Sequence, residues 1–163
     1  MHTLATGTSA PLSTAQIGLL AAWMMAGCGW SIGRGPTASW SVGAIRGATV
    51  EPGLEQRLSQ QLSIERARRR VQSGPALDLT VEDLVQVPTA SQQGQVAWRT
   101  ELTVSAALNG RPDCAVQGRG SQVWVASQAG GGAEGERRAA VDAAIAQVSV
   151  QIVDALLARP ECR

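Results

Sequence analysis

Three cysteines (Cys28, Cys114 and Cys162) and one histidine (His2) head the short list of side chains that could do chemistry in this 163-residue chain. The chain contains no Lys, Tyr or Phe. Imidazole is the usual base of a nucleophilic triad and the commonest nitrogen ligand of metals, and a lysine amine is needed for Schiff-base chemistry. His2 lies ahead of a processing point argued below, so the mature chain would hold none of these groups. That excludes His-based triads, Schiff bases and His-ligated metals, and neither a metal site nor a cofactor is expected. Carboxylates remain. Glu82 and Asp83 are sequence neighbours on a strand, and strand alternation would send them to opposite faces. No glycosidase-like acid and base pair stands out, and no catalytic residue is expected. Fourteen basic residues against thirteen acidic ones give a net charge of +1. That balance argues against nucleic acid as a partner.

Around Cys28 the sequence reads as an export leader. Ile17 to Ala26 is apolar but too short to cross roughly 30 Å of hydrocarbon as a helix. It suits the apolar core of a signal peptide, with a buried core helix carrying an ordinary cysteine as the alternative. Ala26-Gly27 then Cys28 resembles the lipobox of bacterial lipoproteins, whose cysteine is diacylated and becomes the first residue. The stretch from Met1 to Gln16 has no Arg or Lys, which is atypical of a leader. The expected organisation is a lipoprotein signal peptide over 1–27, a lipidated tether over 28–38 and one α+β domain over 39–163. No later segment is expected to span a membrane. Two or three acyl chains make attachment durable where one does not. With Cys28 consumed by lipid, Cys114 and Cys162 remain in an oxidising compartment. They form either a disulfide or two free thiols, with Cys114 between two strands and Cys162 after the last helix.

These residues need elements to position them. Trp40 and Val42 alternate with Ser39, Ser41 and Gly43, which predicts a strand over about 39–45. The Gly and Ala content from Ser39 to Thr49 is high for a central strand. Glu51-Pro52-Gly53 suits a helix start, and Leu54, Leu58 and Leu62 recur at four-residue spacing. The helix would end near the run Arg66 to Arg70, which would cap it and face solvent, with Ser73-Gly74-Pro75 as a firm stop beyond. Leu77, Leu79 and Val81 start a second strand that runs to Val87. The clearest alternation is Val96, Trp98, Thr100, Leu102, Val104 and Ala106. A last strand covers Ala115 to Gln128, with a bend expected at Gly118 and Gly120. A long helix over about 136–158 carries the stripe Val141, Ile145, Val148, Ile152 and Leu156. The expected fold class is α+β: a two-layer sandwich, order β-α-β-β-β-α. Its sheet of about four strands is mostly antiparallel, with two helices on one face.

Cys28-Gly29-Trp30, Glu51-Pro52-Gly53-Leu54-Glu55 and the closing run Ala143-Ala144-Ile145 through Ile152-Val153-Asp154-Ala155-Leu156 occur in this element order. In these features the chain resembles the LptE family, outer-membrane lipoproteins of lipopolysaccharide assembly. The resemblance implies a lipid-anchored plug, on the periplasmic face of the outer membrane, in the lumen of the LptD barrel. It also implies contact with lipopolysaccharide, for which Arg99, Arg111 and Arg119 are the candidate phosphate contacts because guanidinium bonds phosphate bidentately. Taken singly, each of these arginines reads first as a solubilising residue. The other reading is a lipid-anchored periplasmic interaction domain of a different envelope transport or assembly system.

Overall fold

A computed structural model describes residues 38–47, 51–92, 95–126 and 132–162. Its elements are β1 (Ser39–Arg46), α1 (Leu54–Arg68), β2 (Gln72–Gln92), β3 (Gln95–Leu108), β4 (Arg111–Val125), α2 (Gly132–Leu157) and a 3-10 turn at Pro160–Cys162. The strands form one open mixed sheet in the order β1-β2-β3-β4. β1 pairs parallel to β2, whereas β2, β3 and β4 form an antiparallel meander. Both helices cover the same face, so the fold is the expected α+β two-layer architecture.

The apolar stripes dictate this layering. Leu54, Leu58 and Leu62 of α1 and Val141, Ile145, Val148, Ile152 and Leu156 of α2 are all buried, with Leu77, Leu79, Leu102 and Val104 of the sheet beneath them. Trp40 fills the centre under α1 and is fully buried. By length and composition α2 could cross a bilayer, contrary to expectation. Half of that apolar window is buried in the domain, so α2 serves here as its core helix.

Several local expectations are corrected. Helix α1 ends at Arg68, within the expected arginine run, but Ser73-Gly74-Pro75 is no stop beyond it and already lies in β2. The Val71 amide bonds to the Arg66 carbonyl (3.0 Å) and the Arg70 amide to that of Ala67 (3.1 Å), a Schellman stop. Its left-handed position is occupied by Arg70, at φ 55°. The arginine run does more than face solvent: Arg66 Nη1 donates to the Trp40 carbonyl (3.2 Å) and Arg69 pairs with Asp154 (2.8 Å). Gly74 is needed where β1 approaches, because a Cβ there would lie 2.6 Å from the Ser39 carbonyl oxygen. β1 sits at the sheet edge, which accommodates its glycine and alanine content. In β2 a bulge falls between Val81 and Asp83, so the alternation shifts by one residue. Leu84 thereby stays with the core, and Glu82 and Asp83 share the outer face rather than dividing between faces. Past the span that β1 covers, β2 runs through Pro88, whose missing N–H is tolerable there.

Cys114 lies inside β4, not between strands, because Asn109-Gly110 alone makes the turn, with Gly110 at φ 77°. Gly118 and Gly120 do not bend β4. The β3–β4 register is unbroken from Ala97 to Ala107, and the two glycines make room for α2. A Cβ at Gly118 would sit 2.9 Å from the Val148 carbonyl oxygen, and one at Gly120 would collide with the Ala144 carbonyl. Helix α2 itself begins at Gly132, one turn earlier than Glu136.

Two unfolding measurements test this packing. Gly120→Ala should destabilise the domain by about 1–3 kcal/mol, since the helix backbone cannot yield as a side chain can. Arg70→Gly should stabilise it by about 1 kcal/mol by removing the left-handed penalty of a non-glycine residue.

Candidate functional site

Cys28, the leader and the tether lie outside the described residues. Of the other singled-out residues, Cys114 and Cys162 are joined as a disulfide, with Cα atoms 5.5 Å apart. Both are buried, and the bond holds the C-terminal turn against β4. Arg111 Nη1 donates to the Glu161 carbonyl (2.7 Å) at the same end. Such a bridge stabilises mainly by restricting the unfolded chain.

The three candidate arginines do not converge. Arg99 lies opposite Val123, and Arg119 opposite Thr103, so both face outward on the uncovered side of the sheet. Four residues of strand put them about 13 Å apart, and Arg111 lies about 27 Å further down β4. Arg99 pairs with Glu101 (3.2 Å), and Arg119 donates to Gln117 Oε1 (3.2 Å). Beside Arg119 runs a polar ladder that sequence reasoning missed. Glu82 accepts hydrogen bonds from Ser105 and from Gln117 Nε2 (3.0 Å), and so ties β2, β3 and β4 across the open face. The bulge aims Glu82 there, and strict alternation gives no hint of it.

The two helices run parallel, and their N-terminal ends meet at a second charged cluster. The Glu51 carboxylate, only 6% exposed, receives Arg57 Nη2 (2.8 Å) and Arg137 Nη1 (2.6 Å). Arg57 also pairs with Asp142 (2.8 Å), and twelve residues further along both helices Arg69 pairs with Asp154 (2.8 Å). The hydrogen bond from Arg137, reinforced by its charge and that of Arg138, holds the Glu134 carboxyl below the ordinary range. Glu134 and Glu51 in turn raise the Arg137 pKa. A pocket of about 320 Å³ opens here, lined by Gln56, Arg57, Glu134, Arg137 and Arg138 among others. Its charges are already matched within the protein, and both helix N-termini receive the acidic residues that their dipoles favour.

The far end of the sheet is different in character. Val87, Val96, Val123 and Val125 are exposed there, four of the five large apolar residues so placed among the described residues. On the helix side, Trp98 and Trp124 stack with centroids 6.2 Å apart, and Trp124 Nε1 donates to Thr100 Oγ1 (3.1 Å). Among the described residues, no three His, Cys, Asp or Glu gather in a metal-binding group.

The fold and its open face thus define a small two-layer α+β domain with a polar sheet surface. No family model matches the chain, and no curated protein matches it. Among solved structures it is similar to a lipoprotein of Caulobacter crescentus CB15, at 16% identity over 68% of this chain and 86% of that one, with a TM-score of 0.45. A minor lipoprotein of Acinetobacter baumannii matches at 14% identity over 73% of this chain and 91% of that one, with a TM-score of 0.45. The rare lipoprotein B of Shewanella oneidensis matches at 11% identity over 71% of this chain and 92% of that one, with a TM-score of 0.49.

The buried carboxylate should matter more than the exposed one. Glu51→Ala should cost roughly 2 kcal/mol in denaturant unfolding, since it removes two charge-assisted hydrogen bonds. Asp142→Ala should cost less than about 1 kcal/mol, because its pair is solvent-screened.

Proposed function

We propose that this chain is an outer-membrane lipoprotein, anchored on the periplasmic face through acylated Cys28, that works by shape and contact rather than by catalysis. In this reading it seats in the lumen of a large LptD-like barrel and assists that barrel in assembling and in passing lipopolysaccharide to the outer leaflet. The observation that carries the reading is the uncovered sheet face, where Glu82, Ser105, Gln117 and Arg119 form a polar surface across three strands. Barrel lumens are polar, so a plug must present hydrogen-bonding groups to them. Arg99 and Arg119 stand on that face and would meet lipid A phosphates. Arg111, engaged with the C-terminal turn, would serve structure first. The disulfide suits an exported, oxidising compartment.

The test is a pull-down of the tagged chain from outer membranes in gentle detergent, read by mass spectrometry. A large outer-membrane barrel in near-equal amount is the expected result. Its absence overturns the plug reading, and recovery of a different envelope transporter favours an accessory domain of that system. Cys28→Ala should move the protein from the membrane pellet to the soluble fraction.

A further inference from the structure

The exposed valines of the open face gather at one end of the sheet. Val87 and Val123 flank Arg99 across three strands, and Val125 lies in the next row, opposite Ala97. They are 39%, 53% and 42% exposed. The row behind them, on the helix side, is Pro88, Trp98 and Trp124. No charged residue occurs from Leu84 to Trp98 or from Gly120 to Ala133. The register brings these two stretches together at this end. Arg99 is the nearest charge on the open face and is already paired with Glu101 (3.2 Å). The hairpin that joins β2 to β3 reads Thr89-Ala90-Ser91-Gln92-Gln93-Gly94-Gln95, again without charge. The charged start of α2, with Glu134, Glu136, Arg137 and Arg138, stands on the helix side.

A contiguous exposed apolar patch marks a contact surface. Two features select its occupant. The first is composition: valine and tryptophan beside uncharged amides and hydroxyls suit the boundary between lipid headgroups and acyl chains, where tryptophan concentrates. The second is reach. Ten residues, 28–37, separate an acylated Cys28 from the start of the domain, and they span at most about 36 Å. Ser39 lies beside Gln72 at the base of the sheet. From Gln72 to Val87 the strand runs about 50 Å. The tether therefore holds the base nearer to the bilayer than the sheet is long, and a tilt alone brings the valines down onto it.

We infer that the Val87–Val123–Val125 end of the sheet is a second, shallow contact with the bilayer that carries the chain. The inference rests on the anchoring through Cys28 proposed above, not on the barrel, and describes the chain before any barrel is engaged. Both contacts hold when the long axis of the sheet lies within about 45° of the membrane plane, since the base can rise no further than the tether allows. The open face then turns to the lipid and the helix layer to water. Arg99 sits at headgroup level, where a guanidinium finds phosphate. The contact stays shallow for a backbone reason. Beyond Thr80, β2 has no strand on its free side among the described residues, and hydrocarbon would leave those groups unsatisfied.

The test uses the chain purified from membranes and reconstituted on vesicles of phosphatidylethanolamine and phosphatidylglycerol. An environment-sensitive dye is attached at Val123→Cys or, as a control on the helix layer, at Gln60→Cys. The dye at position 123 should brighten and shift to the blue on vesicles, while the dye at position 60 stays as in water. Adding Val87→Asp and Val125→Asp should abolish the shift at position 123 while the chain still floats with the vesicles. Both valines are exposed, so the unfolding midpoint should hold and exclude misfolding as the cause. A chain that floats yet leaves position 123 in water assigns this end to a protein partner and overturns the inference. An equal shift at both positions, or one that survives the two aspartates, overturns it as well. A chain that does not float refutes the anchoring at Cys28, and the bilayer contact falls with it.

Discussion

The closeness of helix α2 to strand β4 is the constraint on which the rest of this domain depends. Gly118 and Gly120 let the helix backbone settle onto the strand, where any Cβ would strike the carbonyls of Val148 or Ala144. At that separation Val141, Ile145, Val148 and Ile152 are buried in the core between helix and sheet. The same closeness brings Gln147 and Gln151 within reach of the edge amides. A helix held further out by side chains at 118 and 120 would leave those amides to water or to another strand.

From that contact the other restraints follow in order. Helix α1 lies parallel to α2, and the Arg57–Asp142 and Arg69–Asp154 pairs keep the two in step along their length. Exposed pairs of this kind contribute little energy singly, so they align helices that the leucine stripes already hold. Glu51 is more consequential, since its buried carboxylate joins both helix N-termini. At the other end the Cys114–Cys162 bond fixes the turn that follows α2, and so keeps Arg159 over the β4 carbonyls. One face of the sheet is thereby closed by apolar packing, while the other stays open, polar around Glu82 and apolar at the end that carries Val87, Val123 and Val125.

The open face was only partly legible from the chain. Alternation in β3 identifies which residues face outward, but Glu82 reaches the polar ladder through a bulge that no local period announces. Residue type alone marks the three arginines, and their separation depends on strand register. Ser73-Gly74-Pro75 misled because Gly and Pro are read as punctuation. Here Gly74 answers a close approach of β1, while an arginine takes the left-handed stop. Gly118 and Gly120 misled in the same way: absence of a side chain signals either a bend or a close neighbour, and only the neighbour distinguishes them.

The order of elements, the two helix stripes, the buried face of β3 and the balance of charge belong to the sequence alone, because hydrophobic periodicity is a local property of the chain. The pairing of Cys114 with Cys162, the parallel placement of β1, the double grip on Glu51 and the bonds of Gln147 and Gln151 to the β4 amides belong to the tertiary structure. Each of these joins residues that are six to 86 positions apart, at distances set by packing and register. No local pattern encodes such a distance, and so the chain names the residues while the fold decides which of them meet.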